Sequence, residues 1–177
     1  MIKKLGTFTT KTKKLRISDP CYDKNVWCCG TLNNCETGTW SSFIIYSDEG
    51  QWGVRVAENF AVFGDVTIDE AQKIYDESNW KDSKITVGVD SVQCGIFDDS
   101  EYPDGDTGDY GDNSSFYGKC CNATLNGDNQ GNVIRFGTVS RTGFGDGSYE
   151  CFFTGEDNIS AIRVVFIENF DNLEEEE

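Results

Sequence analysis

The chain contains no histidine, only 2 prolines and 1 methionine among its 177 residues, and 15 Lys/Arg against 31 Asp/Glu. Each shortage excludes something. Without histidine, neither a Ser-His-Asp or Cys-His nucleophile system nor a histidine-based metal site can be assembled. With few bases there is little to neutralise phosphate, so direct binding to nucleic acid or to an anionic membrane is not expected. No apolar run approaches membrane-spanning length, and the opening MIKKLGTFTTKTKKLRI lacks the apolar stretch of a signal peptide. A cytoplasmic location is therefore expected. No G-x-x-x-x-G-K-[ST] loop occurs, and the glycines at Gly143, Gly145 and Gly147 are spaced for a turn or bulge rather than for a dinucleotide fingerprint.

What is present argues for a folded domain. Twelve Phe, 7 Tyr and 4 Trp set the chain apart from disordered acidic proteins, and 19 glycines suit a turn-rich fold. Short β-branched or aromatic runs separated by Gly, Asn or Asp predict strands at Leu15–Ser18, Val26–Leu32, Thr39–Ser47, Trp52–Phe63, Ile85–Val89, Val92–Phe97, Val133–Ser140, Ser148–Phe153 and Ala161–Ile167. Hairpins are expected through Asp48–Gln51 and through Gly155–Ser160. One amphipathic helix is predicted at about residues 67–78, where Thr67-x-x-Glu70 is a capping-box pattern and Ile68, Ala71, Ile74 and Tyr75 share a face. Trp80, soon after its end, reads as a packing aromatic. The stretch Phe116–Leu125 fits either strand or helix. The expected fold is mainly β (α+β): an antiparallel sandwich or roll carrying one helix, as a single domain over residues 1–170. An acidic tail, residues 171–177, is expected to be disordered.

Eight cysteines show no C-x-x-C spacing, and there is no histidine to complete a mixed zinc site. They read as reduced thiols packed as small hydrophobes. Charge is unevenly distributed. Residues 1–16 carry six bases and no acid, leaving nine bases against 31 acids elsewhere, a balance of −22. The basic start reads as a segment paired with the acidic body or simply solvated.

Four ordered strings, ISDPCYD (Ile17–Asp23), VGVDSVQCGIFDD (Val87–Asp99), FYGKCC (Phe116–Cys121) and TGFGDGSYECF (Thr142–Phe152), resemble a family of small proteins from Gram-positive bacteria and their phages. The family pattern has glycine in a VDSGQ string where this chain has Val92. The resemblance implies a compact, β-rich cytosolic protein carried on mobile or phage-derived DNA. It brings no reaction or catalytic residues. It favours action by binding and blocking a host nucleic-acid machine.

The strongest functional signal is Asp98–Asp112, fifteen residues with seven carboxylates and no base. Its candidate contact residues are Asp98, Asp99, Glu101, Tyr102, Asp104, Asp106, Asp109, Tyr110 and Asp112. Carboxylates spread over a glycine-rich loop can stand where phosphates stand on a duplex, and tyrosines add rigid amphipathic contact. The expected partner is a basic nucleic-acid-binding protein, a host defence effector in the most concrete form. Two alternatives stand beside this: a calcium-binding or carboxylate-dependent hydrolytic domain, and a phage accessory β protein. Calcium would suit the loop's oxygen ligands, although counting Asp104 as position 1 places Ser115 where a helix-loop-helix site needs an acid. Asp90, Asp98 and Asp146 are the candidate acid–base carboxylates. Asp19 and Asp23 read as turn formers. No catalytic residue and no metal ligand is assigned.

Overall fold

The computed structural model describes residues 1–168, so the tail expected to be disordered lies outside the described residues. Eleven strands form two antiparallel sheets. Sheet A takes the order β1 (Ile2–Thr9), β4 (Thr39–Asp48), β5 (Val54–Phe63), β11 (Ala161–Val165), β10 (Gly147–Thr154), β6 (Lys81–Val89). Sheet B takes the order β3 (Gly30–Leu32), β2 (Leu15–Ser18), β7 (Gln93–Asp98), β9 (Gly137–Arg141), β8 (Gly131–Ile134). Helix α1 (Ile68–Glu77) lies on the outer face of sheet A and α2 (Phe116–Leu125) on that of sheet B. The result is a four-layer sandwich.

Strand alternation explains the three apolar clusters. In β4, Trp40 and Ile44 enter the core between the sheets with Leu15, Ile17, Ile96 and Ile162. Phe43, on the opposite face of the same strand, joins Phe60, Val62 and Ala71 beneath α1. Both faces of the strand are buried from Trp40 to Ile44, and its apolar residues run consecutively from Phe43 to Tyr46. The third cluster packs Phe97, Tyr102, Phe116 and Cys120 between sheet B and α2. The sheets also close on each other at their edges. β1 lies beside β8 and β3 beside β6; the Gly88 N–H donates to the Cys28 carbonyl at 2.8 Å. A Cβ at Gly30 would sit 2.8 Å from Ile85, so only glycine fits at that edge.

Both expected hairpins form: β4 and β5 join around a single 3-10 turn at Gly50–Trp52, and β10 and β11 pair from Thr154↔Ala161. That turn explains why β5 begins at Val54 rather than at Trp52. Thr67 caps α1, accepting from the Glu70 N–H at 3.2 Å, and its hydroxyl bonds the Glu70 carboxylate at 3.1 Å. Ile68, expected on the buried face, is 40 % exposed. Trp80 packs edge-on against Phe60.

Four expectations need correction. The strand expected at Val26–Leu32 is confined to Gly30–Leu32, residues 26–29 being turn and irregular chain. The fold has two helices, because Phe116–Leu125 is helical, capped by the Ser115 hydroxyl accepting from the Gly118 N–H at 3.0 Å. Val133–Ser140 is two strands, with Arg135 and Phe136 in the turn between β8 and β9. The basic start contains a further strand, β1, an edge of sheet A, where lysines discourage pairing with another chain.

Candidate interaction site on the acidic segment

The segment Asp98–Asp112 divides into two unlike halves. Asp98 ends β7 and is completely buried. Its carboxylate accepts the Lys11 N–H at 2.7 Å, the Thr12 hydroxyl at 2.7 Å, and the Ser100 N–H and hydroxyl at 3.1 and 2.9 Å. Burial pushes its pKa up, but these hydrogen bonds outweigh burial and hold it below the usual carboxylate range. Asp99 accepts from Arg16 Nε at 2.7 Å, with Lys14 at 3.8 Å and Lys24 at 4.0 Å. Glu101 lies between Arg135 at 2.7 Å and Lys11 at 2.9 Å, and hydrogen bonds from that pair bring it down to about 2. Tyr102 is buried against Phe97 and Phe116, and its hydroxyl donates to the Tyr22 carbonyl at 2.5 Å. Asp98 and Tyr102 are therefore internal ties rather than exposed contact residues, and Asp99 and Glu101 are already neutralised.

Asp104, Asp106, Asp109, Tyr110 and Asp112 are all exposed, Tyr110 by 72 %. None of these four aspartates forms an ion pair with a described residue. Gly105, Gly108 and Gly111, with φ of 111°, 106° and 86°, turn the chain between them. Asp106 and Asp112 fold back on the N–H groups of Gly108 at 2.9 Å and Ser114 at 3.0 Å. The arc is staked at Tyr102, at Thr107, whose carbonyl accepts the Tyr117 N–H at 2.8 Å, and at Phe116. A rigid frame thus presents four bare carboxylates and one tyrosine. Among the described residues no group of three or more His, Cys, Asp or Glu is arranged to hold a metal ion.

A second feature was not foreseen. The four sequence strings converge at the opposite end of β7. Asp19, fully buried, accepts from the N–H groups of Cys21 at 2.9 Å, Asp90 at 2.8 Å and Ser91 at 2.7 Å, and from the Ser91 hydroxyl at 2.6 Å. Asp146 accepts from the Val92 N–H at 3.0 Å. Tyr117 and Cys121 line a hollow of 340 Å³ with Val92, Gln93, Tyr110 and Arg141. Val92 itself has φ of 61°, a left-handed conformation that a β-branched side chain tolerates poorly. Because β7 spans roughly 17 Å at about 3.4 Å per residue, Asp98 is far from Asp90 and Asp146, and the three carboxylates do not form one acid–base set.

All eight cysteines are free; six are buried and Cys21 and Cys29 are half-buried. Burial pushes Cys35 and Cys151 up to about 12 and raises Cys94 and Cys120 strongly, so these thiols are poor nucleophiles at neutral pH. Among the described residues no helix is long and apolar enough to cross a membrane. Comparison with protein-family models, with curated proteins and with solved structures gives no match.

Proposed function

We propose that this protein is an acidic interaction module that binds a basic, nucleic-acid-handling protein and occupies its Lys/Arg groove in place of nucleic acid. In its most concrete form it inhibits a host defence effector inside the cell. The observation that carries this reading is the split in the acidic segment. Bases from four separate regions neutralise Asp99 and Glu101, yet Asp104, Asp106, Asp109 and Asp112 are left bare on a staked loop. Clustered, unscreened carboxylates favour fast, salt-sensitive association with a cationic surface.

The test is capture from host lysate at low and high salt, using the wild type and the variant Asp104→Asn/Asp106→Asn/Asp109→Asn/Asp112→Asn. The reading expects a basic partner retained at low salt, released by duplex DNA and lost by the variant. Equal capture by both proteins, with no competition from DNA, overturns it. A calcium titration of the same pair separates the metal alternative. Stabilisation by calcium beyond matched sodium, abolished in the variant, would favour a cation site on the loop.

A further inference from the structure

The hollow beside the acidic arc opens on the outer face of sheet B. Gln93 on β7 and Arg141 on β9 are register partners, so their side chains project to the same side. Phe97 and Val139, at even spacing from them, pack beneath α2, which fixes that side as the outer one. The Thr124 hydroxyl donates to Gln93 Oε1 at 3.0 Å, and Arg141 Nε donates to the Thr124 carbonyl at 3.3 Å. Both strands are thereby tied to the end of α2. Tyr117, Cys121, Thr124 and Leu125 recur at helical spacing along one flank of that helix. With Val92 and Tyr110 at the rim they enclose 340 Å³, within the size range of small-ligand sites.

Most polar groups of the lining are already engaged. The Ser91 hydroxyl donates to the Asp19 carboxylate at 2.6 Å. Buried Gln93 accepts from Thr124 and directs its nitrogen at Ser91 Oγ, 3.5 Å away, and Cys121 Sγ, 3.4 Å away. The outer end of the Arg141 guanidinium is different. Three of the five arginines, Arg16, Arg135 and Arg163, meet a carboxylate at 2.7, 2.7 and 2.6 Å. Arg55 lies over the Phe144 ring, 5.4 Å from its centroid. Arg141 is half-buried in the hollow and forms no ion pair with a described residue, in a chain with 31 acids to 15 bases. Withdrawing part of a guanidinium from water without a counter-charge costs free energy that an anion in the hollow would offset.

We propose that the hollow binds a small aromatic monocarboxylate, the phenylacetate class, with its carboxylate on the free end of Arg141 and its ring against Val92, Tyr117 and Leu125. A guanidinium fork takes a planar carboxylate through two parallel hydrogen bonds. One base in an otherwise apolar or internally satisfied lining calls for one anionic group on an apolar body. The bare Asp109, next to Tyr110 at the rim, repels a phosphate or polycarboxylate more strongly than a monoanion. The hollow shares Tyr110 with the arc but does not depend on the function proposed for the arc.

Titration of the full chain with phenylacetate, phenylacetamide and acetate, followed in ¹H–¹⁵N spectra, is the test. Phenylacetate should bind saturably at 1:1, moving the Val92, Gln93 and Leu125 amides and the Arg141 Nε–H. The indole resonance of Trp27, which is 91 % exposed, should stay in place. Phenylacetamide keeps the ring without the charge, and acetate keeps the charge without the ring; each should bind roughly tenfold or more weakly. This three-ligand comparison uses the unaltered chain, so it decides whatever a substitution does to folding. Arg141→Gln should weaken phenylacetate binding roughly tenfold or more by removing charge-assisted hydrogen bonds. Binding should persist in the Asp104/106/109/112→Asn protein, which separates the hollow from the arc. Equal binding of phenylacetate and phenylacetamide, shifts scattered away from the hollow, or undiminished binding by a folded Arg141→Gln protein overturns the proposal.

Discussion

The two halves of the acidic segment are neighbours in sequence and opposites in physics. In Asp98–Tyr102 every acid is spent inside the molecule, on backbone N–H groups, hydroxyls and five bases. In Asp104–Asp112 none of the aspartates meets a base, and two of them serve only their own turns. A carboxylate therefore has no fixed meaning in an acidic protein. One that accepts four hydrogen bonds out of water is structural, whereas one that faces solvent without a cation is available to a partner.

The largest effect should come from the first half. Asp98→Ala removes a buried carboxylate and the four hydrogen bonds it accepts from Lys11, Thr12 and Ser100, and should destabilise the fold by about 3 kcal/mol, read by chemical denaturation. Asp109→Asn, at an exposed site, should change stability by no more than about 0.5 kcal/mol. Similar losses at the two sites would erase the distinction.

Acid sharpens the same contrast. Asp98 and Glu101 have folded pKa values below their unfolded values, Glu101 at about 2. Between the folded and unfolded values the unfolded chain binds more protons, so stability rises with pH in that window. The contribution should be complete above roughly pH 4.5 and disappear as pH falls toward 2. Melting temperatures followed from pH 5 downward should drop, and Glu101→Gln should make the drop shallower.

On the other side of the comparison, the fourfold Asp→Asn variant should lose about tenfold or more in affinity for a captured basic partner, chiefly through slower association at low salt. The smallest effect concerns backbone. Glycines take the left-handed positions of the bare arc, but valine takes one beside it, at residue 92. Val92→Gly should raise stability by about 1 kcal/mol, as relief of steric strain exceeds the added chain entropy. A loss instead would mean that the Val92 side chain contributes packing its 40 % exposure does not suggest.

Much of the fold was legible because alternation is a local signal. Leu15–Ser18 and both hairpins stand where turn chemistry and strand period put them, and the Thr67–Glu70 box located α1. Helix α2 escaped because Gly118, two cysteines and Thr124 have weak helical preference. Its signal was the spacing of Phe116, Cys120 and Thr124, which are all buried. β1 escaped because lysines and a register shift between Lys4 and Gly6 interrupt its alternation. The acidic segment stood out by composition, but its division did not. Which carboxylates are answered depends on Lys11, Lys14, Arg16 and Arg135, residues remote in the chain that only the sheets bring near. The hollow is likewise a product of register between β7 and β9 and of the helix laid over them, invisible to any window along the sequence.

The order of sheet A bears on how the protein can be made. β11, the last strand of the described chain, is not at an edge; it is inserted between β5 and β10. During synthesis at roughly 5–20 residues per second, β5 emerges long before its permanent neighbour exists. Until Ala161–Val165 leaves the ribosome, the sheet is two unjoined pieces with apolar faces open. Folding of sheet A must then close after translation of nearly the whole described chain. A messenger or protease that stops short of residue 161 would yield a product lacking its middle rather than its margin.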